Sequence, residues 1–187
     1  IVAANDVSFG GSASVASLSL TGDGTWTLAG NVGSGGNIDV NIPTTNLTTS
    51  VTLAAGGTGH VDFAGTIHGY ADLAINAGSD IALHDVNVGP GAVRMNSSRI
   101  STAAGSQLQA GGLSMAADDL TLAGNASISG RATLTTRTAG TAWVLGAAAD
   151  VSGNNAVELS GSEIASISTD VLQIGDAASG PISVAAN

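Results

Sequence analysis

No cysteine and no lysine occur in the 187 residues. The first absence excludes disulfides and thiolate chemistry. The second leaves four arginines, Arg94, Arg99, Arg131 and Arg137, against 14 acidic residues, for a net charge of −10. Such a surface repels phosphate backbones and anionic headgroups, so neither nucleic-acid binding nor electrostatic membrane docking is expected. Aromatics make up 3% and charged residues 10%, the latter far below the usual ~25%. No apolar run approaches the ~18 residues of a membrane-spanning helix, so no membrane insertion is expected. The opening "IVAANDVSFG" lacks the basic and long apolar regions of a signal peptide. It also lacks an initiator methionine, and the chain reads as a piece of a longer protein.

What is abundant is small and aliphatic. Hydrophobic residues are 43% of the chain, enough apolar surface to bury, which argues against disorder. They come as period-two couplets: Leu18/Leu20, Trp26/Leu28, Ile38/Val40, Val51/Leu53, Val61/Phe63, Leu73/Ile75, Ile81/Leu83, Val93/Met95, Leu113/Met115 and onward to Ile182/Val184. Helical spacing is hard to find, and such alternation predicts short strands with one buried face. Between the couplets lie "VGSGGN", "AAGGTG", "NAGSD" and "LSGSE", which are turn chemistry. Pro43, Pro90 and Pro181 are assigned to turns as well.

A longer period decides the architecture. Couplets beginning at Leu18, Ile38, Val51 or Val61, Leu73, Val93, Leu113, Leu134 and Val157 recur at roughly twenty residues. "TLAGNVGSGG" (27–36) reappears as "TLAGNASISG" (121–130), and "DLAINAGSDIALHDVNV" overlays "GLSMAADDLTLAGNASI". The prediction is an all-β chain, a parallel β-helix forming one segment over 1–187, with roughly nine coils of about 20 residues. Stacked at ~4.8 Å, those coils make a rod on the order of 40 Å long.

Few residues invite chemistry. His60 and Asp62 share a strand face and His84 follows about one coil later, with His68 between them on a turn. Zinc needs three or four ligands at about 2 Å, and these read instead as solvated histidines. "GGTGHVDF" resembles a calcium-binding nonapeptide with Asp62 displaced by one residue, and no tandem array supports it. Carbohydrate cleavage requires clustered carboxylates. Asp118/Asp119 and Asp80/Asp85 are the densest acids, and Asp118/Asp119 read as a turn. "TTNLTTS" and "TLTTRT" suggest either threonine ladders of the kind that order water or ice, or simply solvent-facing strand positions. Asn46, Asn96 and Asn125 stand in glycosylation sequons. Trp26, Tyr70 and Trp143 are the aromatics to consider for lateral carbohydrate binding, with core burial the expectation for both tryptophans. No catalytic residue, metal ligand or cofactor site is assigned.

"SEIASISTDVLQIGDAASGPISV" contains Ser162, Glu163, Ile164, Ile167, Leu172, Ile174, Gly175, Asp176, Ile182 and Val184 in a recognisable order. This segment resembles a recurring stretch of large bacterial exoproteins of the filamentous haemagglutinin type. The resemblance implies a right-handed β-helix shaft, exported by two-partner secretion through an outer-membrane transporter and displayed on a Gram-negative cell. The NPNG-like signature of that family's secretion domain is missing, which would place this piece within the internal shaft. Autotransporter passenger repeats are similar. The expected function is therefore a non-enzymatic shaft segment of a secreted surface adhesin. Its parent protein would meet a host-cell or bacterial receptor, a glycan or a biofilm surface. A pectate-lyase-like enzyme and a lateral carbohydrate-binding module are the alternatives.

Overall fold

The structure, a computed structural model, describes residues 6–146 and 155–185. The chain winds as a parallel β-solenoid, because each couplet meets a turn residue before its strand can lengthen. Every coil thus holds three short strands. The first is β1 (Val7–Phe9), β2 (Ala13–Val15) and β3 (Leu18–Thr21). The second is β4 (Thr25–Leu28), β5 (Val32–Ser34) and β6 (Ile38–Asn41). The third is β7 (Thr44–Leu47), β8 (Val51–Ala55) and β9 (Val61–Phe63). The fourth is β10 (Thr66–Gly69), β11 (Leu73–Asn76) and β12 (Asp80–Leu83). The fifth is β13 (Val86–Asn87), β14 (Ala92–Asn96) and β15 (Arg99–Thr102). The sixth is β16 (Gln107–Ala110), β17 (Gly112–Ala116) and β18 (Asp119–Leu122).

The first strands of successive coils stack as sheet one, the second as sheet two and the third as sheet three. Inward side chains form continuous apolar columns. In sheet three Leu18, Ile38, Val61, Ile81, Ile100 and Leu120 lie in register, all essentially buried. In sheet two Val51, Leu73, Val93 and Leu113 do the same. The expected series beginning at Leu18 therefore crosses from sheet three to sheet two, since Val51 and Val61 belong to different sheets of one coil. Trp26 is fully buried between the smaller Val7 and Thr45, and its ring stacks at 6.2 Å on Phe63.

Six regular turns are completed, fewer than the roughly nine expected, because the residues after Thr135 depart from the simple coil. β19 (Asn125–Thr135) bends through the corner from sheet one into sheet two, joining them into one hydrogen-bonded sheet. β20 (Ala142–Leu145) and β21 (Ala156–Leu159) follow, then a short helix α1 (Gly161–Ala165), β22 (Ile167–Ile174) and β23 (Ile182–Val184). β22 stacks along both halves of β19. On the third side, β21 lies against β18 and β20 lies beyond β21, with β23 on the far side of β20. Chain order and stacking order are exchanged for this pair. Trp143, fully buried, fills the interior at this level.

The helix departs from the all-strand reading of this segment. Ser160 caps it, accepting from Glu163 N, while the Glu163 carboxylate accepts from Ser160 N. One turn cannot hold itself in water. Glu163 Oε1 also accepts from Leu122 N at 2.9 Å, which anchors the helix to β18.

Candidate functional site

Most acidic side chains at the corners are committed to the neighbouring coil. Asp6 Oδ1 accepts from Thr25 N, Asp72 Oδ1 from Ala92 N and Asp85 Oδ1 from Gln107 N, each at 2.8 Å. Asn31 Oδ1 does the same for Thr52 N. Asp118 accepts from both the backbone N and the hydroxyl of Thr138, at 2.7 and 2.6 Å. A corner breaks the strand ladder and exposes a donor, and the carboxylate one coil away satisfies it.

The densest charged group lies along the leading edge of sheet three. Asp80, Arg99 and Asp119 occupy one column on successive rungs. Strand spacing places the two aspartates roughly 10 Å apart. Arg99 Nε donates to Asp80 Oδ1, and that hydrogen bond holds the Asp80 carboxyl below its ordinary value while raising the guanidinium. A carboxyl held ionised in this way is a poor proton donor near neutrality. Asp119 Oδ1 is buried without a hydrogen-bond partner. Arg137 reaches back to the same corner and donates to Gly78 O and Ser98 Oγ. The depression they frame is open, about 450 Å³, and includes Thr58 and Ser79. This arrangement can cross-link rungs electrostatically. It gathers two carboxylates on one column, with their shared arginine between them.

The residues singled out in the sequence are dispersed. His60 Nε2 lies 2.7 Å from Asp39 on the preceding coil, and Asp62 is exposed without joining it. Position 60 precedes β9, whereas His84 follows β12 and contacts Asp85 at 3.3 Å. The register pairs Val61 with Ile81, so His60 and His84 sit at opposite ends of their strands. His68 belongs to sheet one. Among the described residues no three His, Asp or Glu side chains form a metal-sized group. Asp80 and Asp85 likewise bracket β12 from its two ends. The threonine clusters do not form ladders of their own, since Thr45 and Thr136 turn inward and are buried. One ladder does run through the first cluster, where Thr44 lies in register between Thr25 and Thr66 on sheet one. Asn46 faces outward from β7 with its Oδ1 buried and unpartnered, while Asn96 and Asn125 are exposed.

Both tryptophans are fully buried, whereas Tyr70 is 86% exposed. It stands at the corner between sheets one and two, beside a row invisible in the linear sequence. Ser8, Thr27, Asn46, His68, Asn87, Gln109, Ser127 and Ser168 face outward in register on sheet one. The sheet-one portions of these strands contain no Asp, Glu, Lys or Arg. The row emerges only once each turn length is known, because register offsets along sheet one run from 18 residues (Gln107 to Asn125) to 22 (Val86 to Leu108) in the regular coils and reach 41 from Ser127 to Ser168.

No family model, curated protein or solved structure matches the chain.

Proposed function

We propose that the chain is a structural shaft segment of a bacterial surface adhesin, acting as a stiff spacer rather than as a catalyst. The observation that carries this reading is the set of corner carboxylates and amides bonded to backbone donors one coil away, as at Asp6, Asn31, Asp72, Asp85 and Asp118. Groups that a hydrolase would aim at a substrate are used here to tie rung to rung. The aliphatic columns resist bending along the axis, because tightly packed interiors are barely compressible. Display outside the cell, export by two-partner secretion and contact with a host or biofilm surface rest on the resemblance of residues 162–184 to haemagglutinin-type exoproteins.

Immunogold labelling of intact source cells with an antibody against this chain tests the reading. Label held at a distance outside the outer membrane is expected. Label confined to the cytoplasm would overturn it, as would reproducible cleavage of a polysaccharide by the purified chain.

A further inference from the structure

Sheet one presents a chemistry unlike that of the rest of the surface. On sheet three, the charged outward groups Asp39 and Asp80 pair with His60 and Arg99. On sheet one, Asn87, Gln109, Ser127 and Ser168 stand exposed in one register on successive rungs. Together with Ser129 they line a depression of about 380 Å³. The Asn87 amide is already oriented, because its Oδ1 accepts from Gly89 N at 3.1 Å, which turns its NH2 donor toward solvent.

Gly89 also belongs to this depression, and the Tyr70 ring lies beside it. It adopts φ +55°, and a Cβ there would come within 2.9 Å of Tyr70 Cδ1. The absent side chain is the space against which the Tyr70 ring rests. An aromatic face beside amides that both donate and accept is the chemistry that recognises a sugar ring, whose C–H face is apolar and whose rim is hydroxyl.

We infer that the sheet-one face from Tyr70 to Ser168 binds a neutral, extended glycan lying along the solenoid axis. The rungs repeat at about 4.8 Å, close to the length of one sugar residue in an extended chain, so each rung offers one polar side chain per sugar. A net charge of −10 and the absence of a basic residue on this face select an uncharged polysaccharide over an acidic one. This inference is independent of the shaft reading, since a shaft remains one with or without a lateral ligand.

Isothermal titration of the full chain with cellohexaose, mannohexaose and chitohexaose as neutral probes, and hexagalacturonate as the acidic one, tests it. At least one neutral hexasaccharide should bind, more tightly than its disaccharide, and hexagalacturonate should not. Tyr70→Ala and Gln109→Ala should each weaken binding about tenfold, roughly the worth of one good contact. Asp62→Asn, on sheet three, should leave affinity unchanged, with circular dichroism verifying that all three variants are folded. Three results would each overturn the inference: no binding of any neutral probe at millimolar concentration, binding that survives both sheet-one substitutions, or equal binding of hexagalacturonate.

Discussion

Asp72 and Ala92 lie 20 residues apart in sequence, yet the Oδ1 of the first accepts from the backbone N of the second at 2.8 Å. The same carboxylate lies 3.5 Å from Arg94 through its other oxygen. One side chain thus fastens a coil to the next at a corner where the ladder is interrupted. What matters at this position is the acceptor more than the charge, because the ion pair is about half exposed and screened.

Asp72→Asn, which keeps an acceptor oxygen, should therefore cost less than ~0.5 kcal/mol, whereas Asp72→Ala should cost about 1 kcal/mol by stranding the Ala92 donor. Denaturant midpoints of the two variants give the comparison. Equal losses would mean that the hydrogen bond contributes nothing.

The column formed by Val51, Leu73, Val93 and Leu113 sets the tolerance to length changes. Deleting residues 73–92 brings Val93 onto Val51 and removes β11, β12 and β13 together, so a shorter folded solenoid is expected. Deleting 73–82 puts strands on the wrong side and should unfold the chain. Leu73→Ala should cost about 2–5 kcal/mol through the cavity it leaves. Urea unfolding of the three variants ranks them, and equal tolerance of the two deletions would contradict the register.

Acid should weaken the leading edge of sheet three. Arg99 lowers the folded pKa of Asp80 beneath its unfolded value near 3.8, so this stabilisation is present above that pH. It fades as pH falls through the lower, folded value. Because the pair is about half exposed, Asp80→Asn should cost no more than about 1 kcal/mol at pH 7. The gap between wild type and variant should then close below pH ~4. Thermal melts across pH 2–7 would reveal a constant gap if the pair were inert.

Two glycines should respond in opposite ways. A methyl on Gly78 would overlap the carbonyl of Gly57 on the coil below, whereas one on Gly11 meets nothing within 4 Å. Gly78→Ala should cost about 1–3 kcal/mol by forcing two corners apart. Gly11→Ala should be neutral or stabilising by up to ~1 kcal/mol, through the unfolded chain. Melting temperatures distinguish the two sites directly.

The strands and most of their inward residues were legible in the sequence, because a couplet such as Leu73/Ile75 has only one apolar face to bury. The exception is Ile182/Val184, expected to have a buried face but exposed on β23, the last strand of its sheet. The sheet to which each couplet belongs was less legible. "TLAGN" occurs at 27–31 and again at 121–125, yet the first turns from sheet one to sheet two and the second from sheet three to sheet one. Identical local chemistry serves different corners, since any corner needs only small residues and a polar cap. The helix left one readable trace, the Ser160 to Glu163 capping box, hidden within an otherwise strand-like stretch. Nothing local distinguished the sheet-one row, because Asn87 and Gln109 become neighbours only through an irregular 22-residue coil.

The exchange of β20 and β21 bears on the order of assembly. Up to Leu122 each new rung can form on a template already in place. β20 cannot, because the strand that should lie beneath it, β21, has yet to emerge in sequence when residues 142–145 do. A chain folding from its N-terminal end therefore reaches a point where growth on the third side waits for β21, so that β20, β21 and β23 close together as one block. Pulled from its C-terminus, such a molecule should first yield that block as one long extension. The sixth coil and those before it should then peel away in a regular series of shorter ones.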